Sequence, residues 1–287
     1  MFQARPSKRL AAEGLKFQVS PSKEIHMKNR ITDLFANKKK NLLNVYYTAG
    51  FPNLNDTIAI AETLESSGAD IIEIGIPFSD PVADGPTIQA SNKTALDNGM
   101  NVPLLLEQVK EIRKKVKVPI ILMGYLNPVM QYGVEKFIVD ASKAGVDGLI
   151  LPDMPIYEYE EQYKDLFEKN NLSNTFLISP TTSEERIRKI DGATQGFIYA
   201  VSSSSITGAK GDFTPEQVQY FDGLKKMNLK NPFMVGFGIS SHDTFKKVSE
   251  YCNGGIVGSA FINLLKGSKD IHSDIKKFVK DLKGNLN

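Results

Sequence analysis

Two carboxylates sit close together in the stretch Asp70–Gln89, DIIEIGIPFSDPVADGPTIQ. It opens as a strand in which Ile71, Ile72, Ile74 and Ile76 surround Glu73 and Gly75. At Pro77 it breaks into a turn-rich loop holding Asp80, Asp84 and Gly85. A glutamate in an otherwise buried strand is costly unless it is paired or put to use. Strand alternation puts Ile72, Ile74 and Ile76 on one face and Ile71, Glu73 and Gly75 on the other. None of the predicted strands contains Lys or Arg, so no buried cation is at hand to neutralise Glu73. Burial without such a partner raises a carboxyl toward neutrality, as a group serving both as acid and as base requires. Asp84 has two readings: a second catalytic carboxylate beside Glu73, or a turn former before glycine. Asp80 or Asp84 could also cap the helix expected near Pro86.

Glycines gather late in the chain, in VSSSSITGAKGDF (Val201–Phe213), GFGISS (Gly236–Ser241) and VGSA (Val257–Ala260). Backbone N–H groups freed by glycine at the start of a helix bind anions, which marks these loops as a phosphate cradle. The three histidines, His26, His242 and His272, are too scattered for a His-rich metal site or a Ser-His-Asp arrangement. No strand carries a lysine for a Schiff base, and Lys210 lies in a Ser/Gly loop. Cys252 ends a helix and reads as a small buried residue. The chemistry left is carboxylate acid–base catalysis on a small phosphorylated substrate, with neither metal nor cofactor expected in this chain.

These residues need a frame, and the chain repeats one phrase to build it. A helix ends at glycine, a short polar residue follows, and a buried strand begins: SSGADIIEIGIP from Ser66, KAGVDGLILPDMP from Lys143, and a looser echo in CNGGIVGSA from Cys252. Glycine suits a left-handed helix end. Strands are predicted at Leu42–Gly50, Asp70–Ile76, Val118–Tyr125, near Leu149, and at Thr175–Ser179, Gly196–Val201, Pro232–Gly236 and Gly255–Gly258. Helices fall between them, including Thr87–Asn98, Leu104–Val116 and Ile156–Asn170. Strands separated by helices run parallel, and eight such units match a closed (β/α)8 TIM barrel with an extra N-terminal helix. An open doubly wound sheet is the alternative, but no Gly-rich fingerprint follows the first strand. In a barrel, Glu73 points inward below the mouth where the loops meet.

Composition agrees with an ordinary globular chain: 287 residues, 41% hydrophobic, 24% charged and a net charge of +2, which indicates neither nucleic acid nor membrane as partner. A single cysteine suits a reducing compartment, and the cytoplasm is the expected location. Residues 1–26 lack the apolar core of a secretory signal and read as a disordered extension, leaving 27–287 as a single barrel domain. The lysine run after ITDLFAN reads as a solvated helix end.

EIGIPFSDPVADGPTIQ resembles the signature of the tryptophan synthase alpha chain family, and TAGFP, LPDMP, the loop from Tyr199 to Gly208, GFGIS and GSA follow in family order. The resemblance runs from about Met27 to the C-terminus. It implies retro-aldol cleavage of indole-3-glycerol phosphate to indole and glyceraldehyde 3-phosphate. Glu73 matches the catalytic acid–base, Asp84 the carboxylate that binds the indole N–H, and Tyr199 an assisting tyrosine. Tyr46, Met123 and Ile150 match the indole pocket. Thr207, Gly208, Gly236, Gly238, Gly258 and Ser259 match substrate-binding positions, with Gly208, Gly238, Gly258 and Ser259 as backbone donors to phosphate. It further implies an alpha2-beta2 heterotetramer with a beta chain that carries pyridoxal phosphate, the loop with Pro77 and Asp80 lying at the contact. Ser202–Ser205 departs from the Ser-Arg-Ser-Gly of some members and lacks their arginine. Two other readings share parts of the evidence: another phosphate-binding barrel such as a sugar-phosphate isomerase, and a silent partner that only activates a beta chain. Retention of both Glu73 and Asp84 argues against the second.

Overall fold

A computed structural model describes residues 28–202, 213–236 and 238–286. The expected N-terminal extension and loop residues 203–212 lie outside the described residues. Nine short strands form one sheet in which every pairing is parallel: β1 Leu42–Thr48, β2 Ile71–Gly75, β3 Ile120–Met123, β4 Gly148–Ile150, β5 Ser173–Asn174, β6 Leu177–Ile178, β7 Ile198–Val201, β8 Phe233–Gly236 and β9 Gly254–Val257. The order runs β5-β4-β3-β2-β1-β9-β8-β7-β6. β5 and β6 are halves of one barrel position: Thr175 N–H bonds Leu149 O of β4, and Tyr199 N–H of β7 bonds Phe176 O. That segment closes the ring, so the eight expected strand positions stand, the fifth starting two residues before the predicted Thr175. Helices follow the strands around the outside.

The repeated phrase has a structural meaning. Gly68 and Gly145 take φ +99° and +94°, the left-handed region that favours glycine. The Asp two residues later then pairs with the preceding strand: Asp70 N–H donates to Leu43 O while its carboxylate accepts from Leu43 N–H at 2.9 Å. Asp147 does the same with Ile120 O and Ile120 N–H, at 2.8 and 2.9 Å. In the looser echo Asn253 repeats the geometry with Phe233, both bonds 3.1 Å. One side chain thus satisfies an orphan donor at a strand's start and sets the register of its neighbour.

Alternation divides the core in two. Ile72, Ile74 and Ile76 pack outward against the helices, whereas Leu42, Ile71, Ile121, Ile150, Tyr199, Met234 and Ile256 fill the barrel. The N-terminal helix Arg30–Asn37 plugs the bottom with Ile31 and Phe35, against Gly148 and Gly196, where a Cβ would stand 2.8 and 2.9 Å from Ile31. The lysine run after it is a largely solvated helix end: Lys39 and Lys40 are exposed, Lys39 Nζ donates to Phe35 O, and only Lys38, half-buried, reaches back to the barrel, pairing with Asp70 at 2.7 Å.

Elsewhere the elements differ from expectation in two places. A short helix, Leu126–Tyr132, follows β3, and the predicted helix Ile156–Asn170 contains a π turn at Tyr159–Tyr163. No helix among the described residues is long and apolar enough to cross a membrane.

Candidate active site

Glu73 is the centre of β2 and has no exposed surface. Register places it level with Tyr46 of β1 and Ile121 of β3, inside the barrel as alternation demands. No described strand carries Lys or Arg. The carboxyl's partner is Asn44, whose Nδ2 donates to Oε2 at 2.5 Å, while Oε1 and Asn44 Oδ1 have no hydrogen-bond partner among the described residues. Burial pushes the carboxyl up from 4.5 to about 7, against a smaller downward pull from the Asn44 amide. Asp147 shows the contrasting arrangement at the other end of the barrel. It is equally buried, but Arg113 and Arg30 meet it at 2.7 and 2.9 Å. One carboxylate is paired with two cations; the other has none among the described residues.

Two tyrosines flank Glu73, and each is housed by a glycine. At Gly75 a Cβ would fall 2.3 Å from Tyr46 Oη, and at Gly236 it would fall 2.2 Å from Tyr199 Oη. Any larger residue at either position displaces a hydroxyl from the mouth. Burial holds both phenols well above their ordinary range, and the charges on Glu73 and Asp84 add to this. Tyr46 Oη also lies 3.5 Å from Thr48 Oγ1. Met123 and Ile150 are register partners one interior layer above Glu73, level with Gly75, so they line the mouth directly over the carboxyl.

Asp84 stands half-buried on the loop after β2. It does not cap the following helix, and neither does Asp80. The helix Pro86–Asp97 starts from Gly85 without a side-chain cap, and Asp80 Oδ2 instead accepts from Ser79 Oγ. The Asp84 carboxyl is left for the mouth near Tyr125, whose hydroxyl accepts from Ala83 N–H at 3.0 Å. Partial burial raises the carboxyl and Tyr125 opposes the rise. Tyr125 also packs on Phe78, the rings tilted at 37° with centroids 5.2 Å apart, which ties the loop at its start and its middle.

Across the mouth, Gly236 ends β8 and accepts from both N–H and Oγ of Ser202 at the end of β7. Gly238 has φ +79°, a backbone that L side chains rarely adopt. Gly258 precedes the helix Ser259–Gly267, whose start carries no side-chain cap. Thr207 and Gly208 lie outside the described residues, as do Ser203–Ser205. No group of three or more His, Cys, Asp or Glu among the described residues is arranged to hold a metal.

Sequence reasoning passed over Asn44, Gly75 and Tyr125. Asn44 had a signal, a polar residue on the same face of β1 as Tyr46 in a strand that otherwise reads as buried. Gly75 and Tyr125 had none, because each acts through a residue on another strand or loop.

A family profile described as tryptophan synthase alpha chain matches residues 33–286. Among curated relatives, the tryptophan synthase alpha chain of Flavobacterium psychrophilum is 52% identical over 254 residues, covering 88% of this chain and 99% of the relative. That of Parabacteroides distasonis is 51% identical over 255 residues, covering 89% and 99%. Among solved structures, the tryptophan synthase alpha chain of Legionella pneumophila subsp. pneumophila aligns at TM-score 0.80 with 36% identity, covering 89% of this chain and 96% of that one. An aminoacrylate-bound tryptophan synthase from M. tuberculosis aligns at 0.78 with 30% identity, covering 89% and 98%. With the barrel closed, Glu73 at its centre and the match spanning nearly all described residues, the chain belongs to the tryptophan synthase alpha chain family.

Proposed function

We propose that Glu73 and Asp84 carry out the retro-aldol cleavage that membership in the family assigns to this chain. The chain is the lyase subunit of tryptophan biosynthesis, which splits indole-3-glycerol phosphate into indole and glyceraldehyde 3-phosphate (EC 4.2.1.20). Protonated Glu73 gives its proton to the ring carbon that bears the glycerol chain. The ring becomes a cation, and Asp84, accepting from the indole N–H, stabilises it. Ionised Glu73 then takes the proton of the adjacent side-chain hydroxyl. The carbon–carbon bond breaks, its electrons return to the ring, and the hydroxyl carbon becomes the aldehyde. Glu73 ends protonated as it began. The observation that carries this reading is the wholly buried Glu73 without a cation, held near pH 7.

The remaining positions supply binding. Tyr46, Met123 and Ile150 form the indole pocket over Glu73, and Tyr199 assists at the reacting carbons from its place beside Gly236. Gly238, Gly258 and Ser259, with Thr207, Gly208 and Gly236, bind the phosphate side of the substrate. The left-handed Gly238 and the uncapped helix start at Ser259 support this. Residues 27–287 act as one barrel domain.

The partner is a beta chain bearing pyridoxal phosphate, in an alpha2-beta2 assembly in the cytoplasm. Three large apolar residues stand out to solvent on consecutive strand-to-helix segments: Val82 in the loop after β2, Met130 in the short helix after β3 and Tyr157 in the helical turn after β4, exposed 86%, 62% and 61%. Those segments are joined by Ala83 N–H to Tyr125 Oη and by Leu126 N–H to Asp153 Oδ1 at 2.8 Å. A joined apolar rim of this kind supports a protein contact. Indole release from indole-3-glycerol phosphate, by the full chain alone and with a beta chain added, tests both parts. Slow release that the beta chain accelerates is expected. No release in either arm refutes the site, and release indifferent to the beta chain refutes the partner.

A further inference from the structure

Asn44 stands two residues below Tyr46 on the inward face of β1, with no exposed surface. Its register partner is Ile71, so its amide reaches diagonally to Glu73 on the next strand. A buried asparagine brings an NH2 group with two donor hydrogens and a carbonyl acceptor among apolar neighbours, which costs stability unless something is gained. Here the NH2 group donates to Glu73 Oε2 and the carbonyl acceptor is left without a partner among the described residues. Tyr46 and Tyr199 are the other titratable groups facing Glu73, and Asp84 stands near both tyrosines. No described strand brings a cation to this carboxyl.

We propose that Asn44 is a positioning residue: its amide fixes Glu73 Oε2 and so leaves Oε1 as the oxygen that exchanges the proton with the substrate. A carboxyl free to rotate would present either oxygen, and only one can lie in line with the reacting ring carbon. The proposal rests on Glu73 being the acid–base. The same N–H favours the ionised carboxyl, so removing it must move the titration of Glu73 upward.

The test uses Asn44→Val, close in volume and without a donor, assayed as the full chain beside Glu73→Gln. Expected for Asn44→Val is a loss of kcat of about tenfold or more with KM nearly unchanged. The limb of the pH–rate profile that reports Glu73 should move up by about one pH unit. A purely structural Asn44 would lower thermal stability and leave that limb in place. A second measurement needs no variant at Asn44. In the wild-type chain labelled with 15N-asparagine, one side-chain amide should titrate with the midpoint of that limb, and this titration should vanish in Glu73→Gln. Wild-type kcat and an unmoved limb in Asn44→Val overturn the proposal, and so does the lack of any titrating asparagine amide. Activity in Glu73→Gln would instead overturn the acid–base reading itself.

Discussion

Replacing Glu73 by glutamine should leave a chain that is catalytically dead yet more stable than wild type above neutral pH. Glutamine keeps the side chain's size and keeps an oxygen for the Asn44 amide, but it cannot ionise. The wild-type carboxyl is lifted from 4.5 to about 7 by burial. A group whose folded value is raised stabilises the fold fully below its unfolded value and loses that contribution as pH rises through the folded one. The window is therefore about pH 4.5 to 7, and the loss is about 3 kcal/mol at 1.36 kcal/mol per unit. Roughly 2.5 kcal/mol of it falls between pH 5 and pH 8. Urea unfolding of both proteins at those two pH values measures it, because every other titrating group cancels in the difference. The stability of Glu73→Gln relative to wild type should rise by about that amount from pH 5 to pH 8. A difference independent of pH would refute the argument that burial without a cation keeps Glu73 titrating near neutrality. In the same preparation indole release should fall by about a thousandfold or more, while a glycerol phosphate ligand still binds.

Other positions separate the parts of the site. Asp84→Asn should lower kcat by several orders of magnitude, since it removes the charge opposite the developing ring cation, and circular dichroism should show an unchanged fold. Gly236→Ala would set a methyl 2.2 Å from Tyr199 Oη, so Tyr199 must move; kcat should fall and a crystal structure should show the displaced ring. Gly238→Val forces a side chain onto φ +79° and should raise KM far more than it lowers kcat in steady-state assays. Asp147→Asn breaks the pairs with Arg113 and Arg30 and should cost about 3 kcal/mol in urea unfolding, with kcat per folded molecule unchanged.

The amino-acid sequence by itself determined the class of fold and the inward place of the carboxyl at its centre. Alternation of strand and helix is a one-dimensional pattern, and parallel pairing follows from connections too long for hairpins. The parity of Glu73 against Ile72 and Ile74 is equally local, so its inward direction was legible before any contact was known. The absence of strand-borne Lys or Arg could be counted, and from it came the raised carboxyl that burial then produced. The repeated Gly-x-Asp phrase was legible as a recurrence, but its use was not. Only pairing between neighbouring strands brings Asp70 to Leu43, Asp147 to Ile120 and Asn253 to Phe233.

Tertiary structure decided whatever depended on two distant segments meeting. Asp84 reads in sequence as a helix cap or a turn former; the helix started from Gly85 instead, and Tyr125, 41 positions further on, took hold of the carboxyl's loop. Gly75 and Gly236 look like ordinary strand ends until Tyr46 and Tyr199 are seen lying over them. Asn44 acquires meaning only because the stagger between β1 and β2 carries its amide diagonally to Glu73. Periodicity specifies which way a side chain points. Which partner it meets there is set by strand register and loop closure, and these exist only once the barrel has formed.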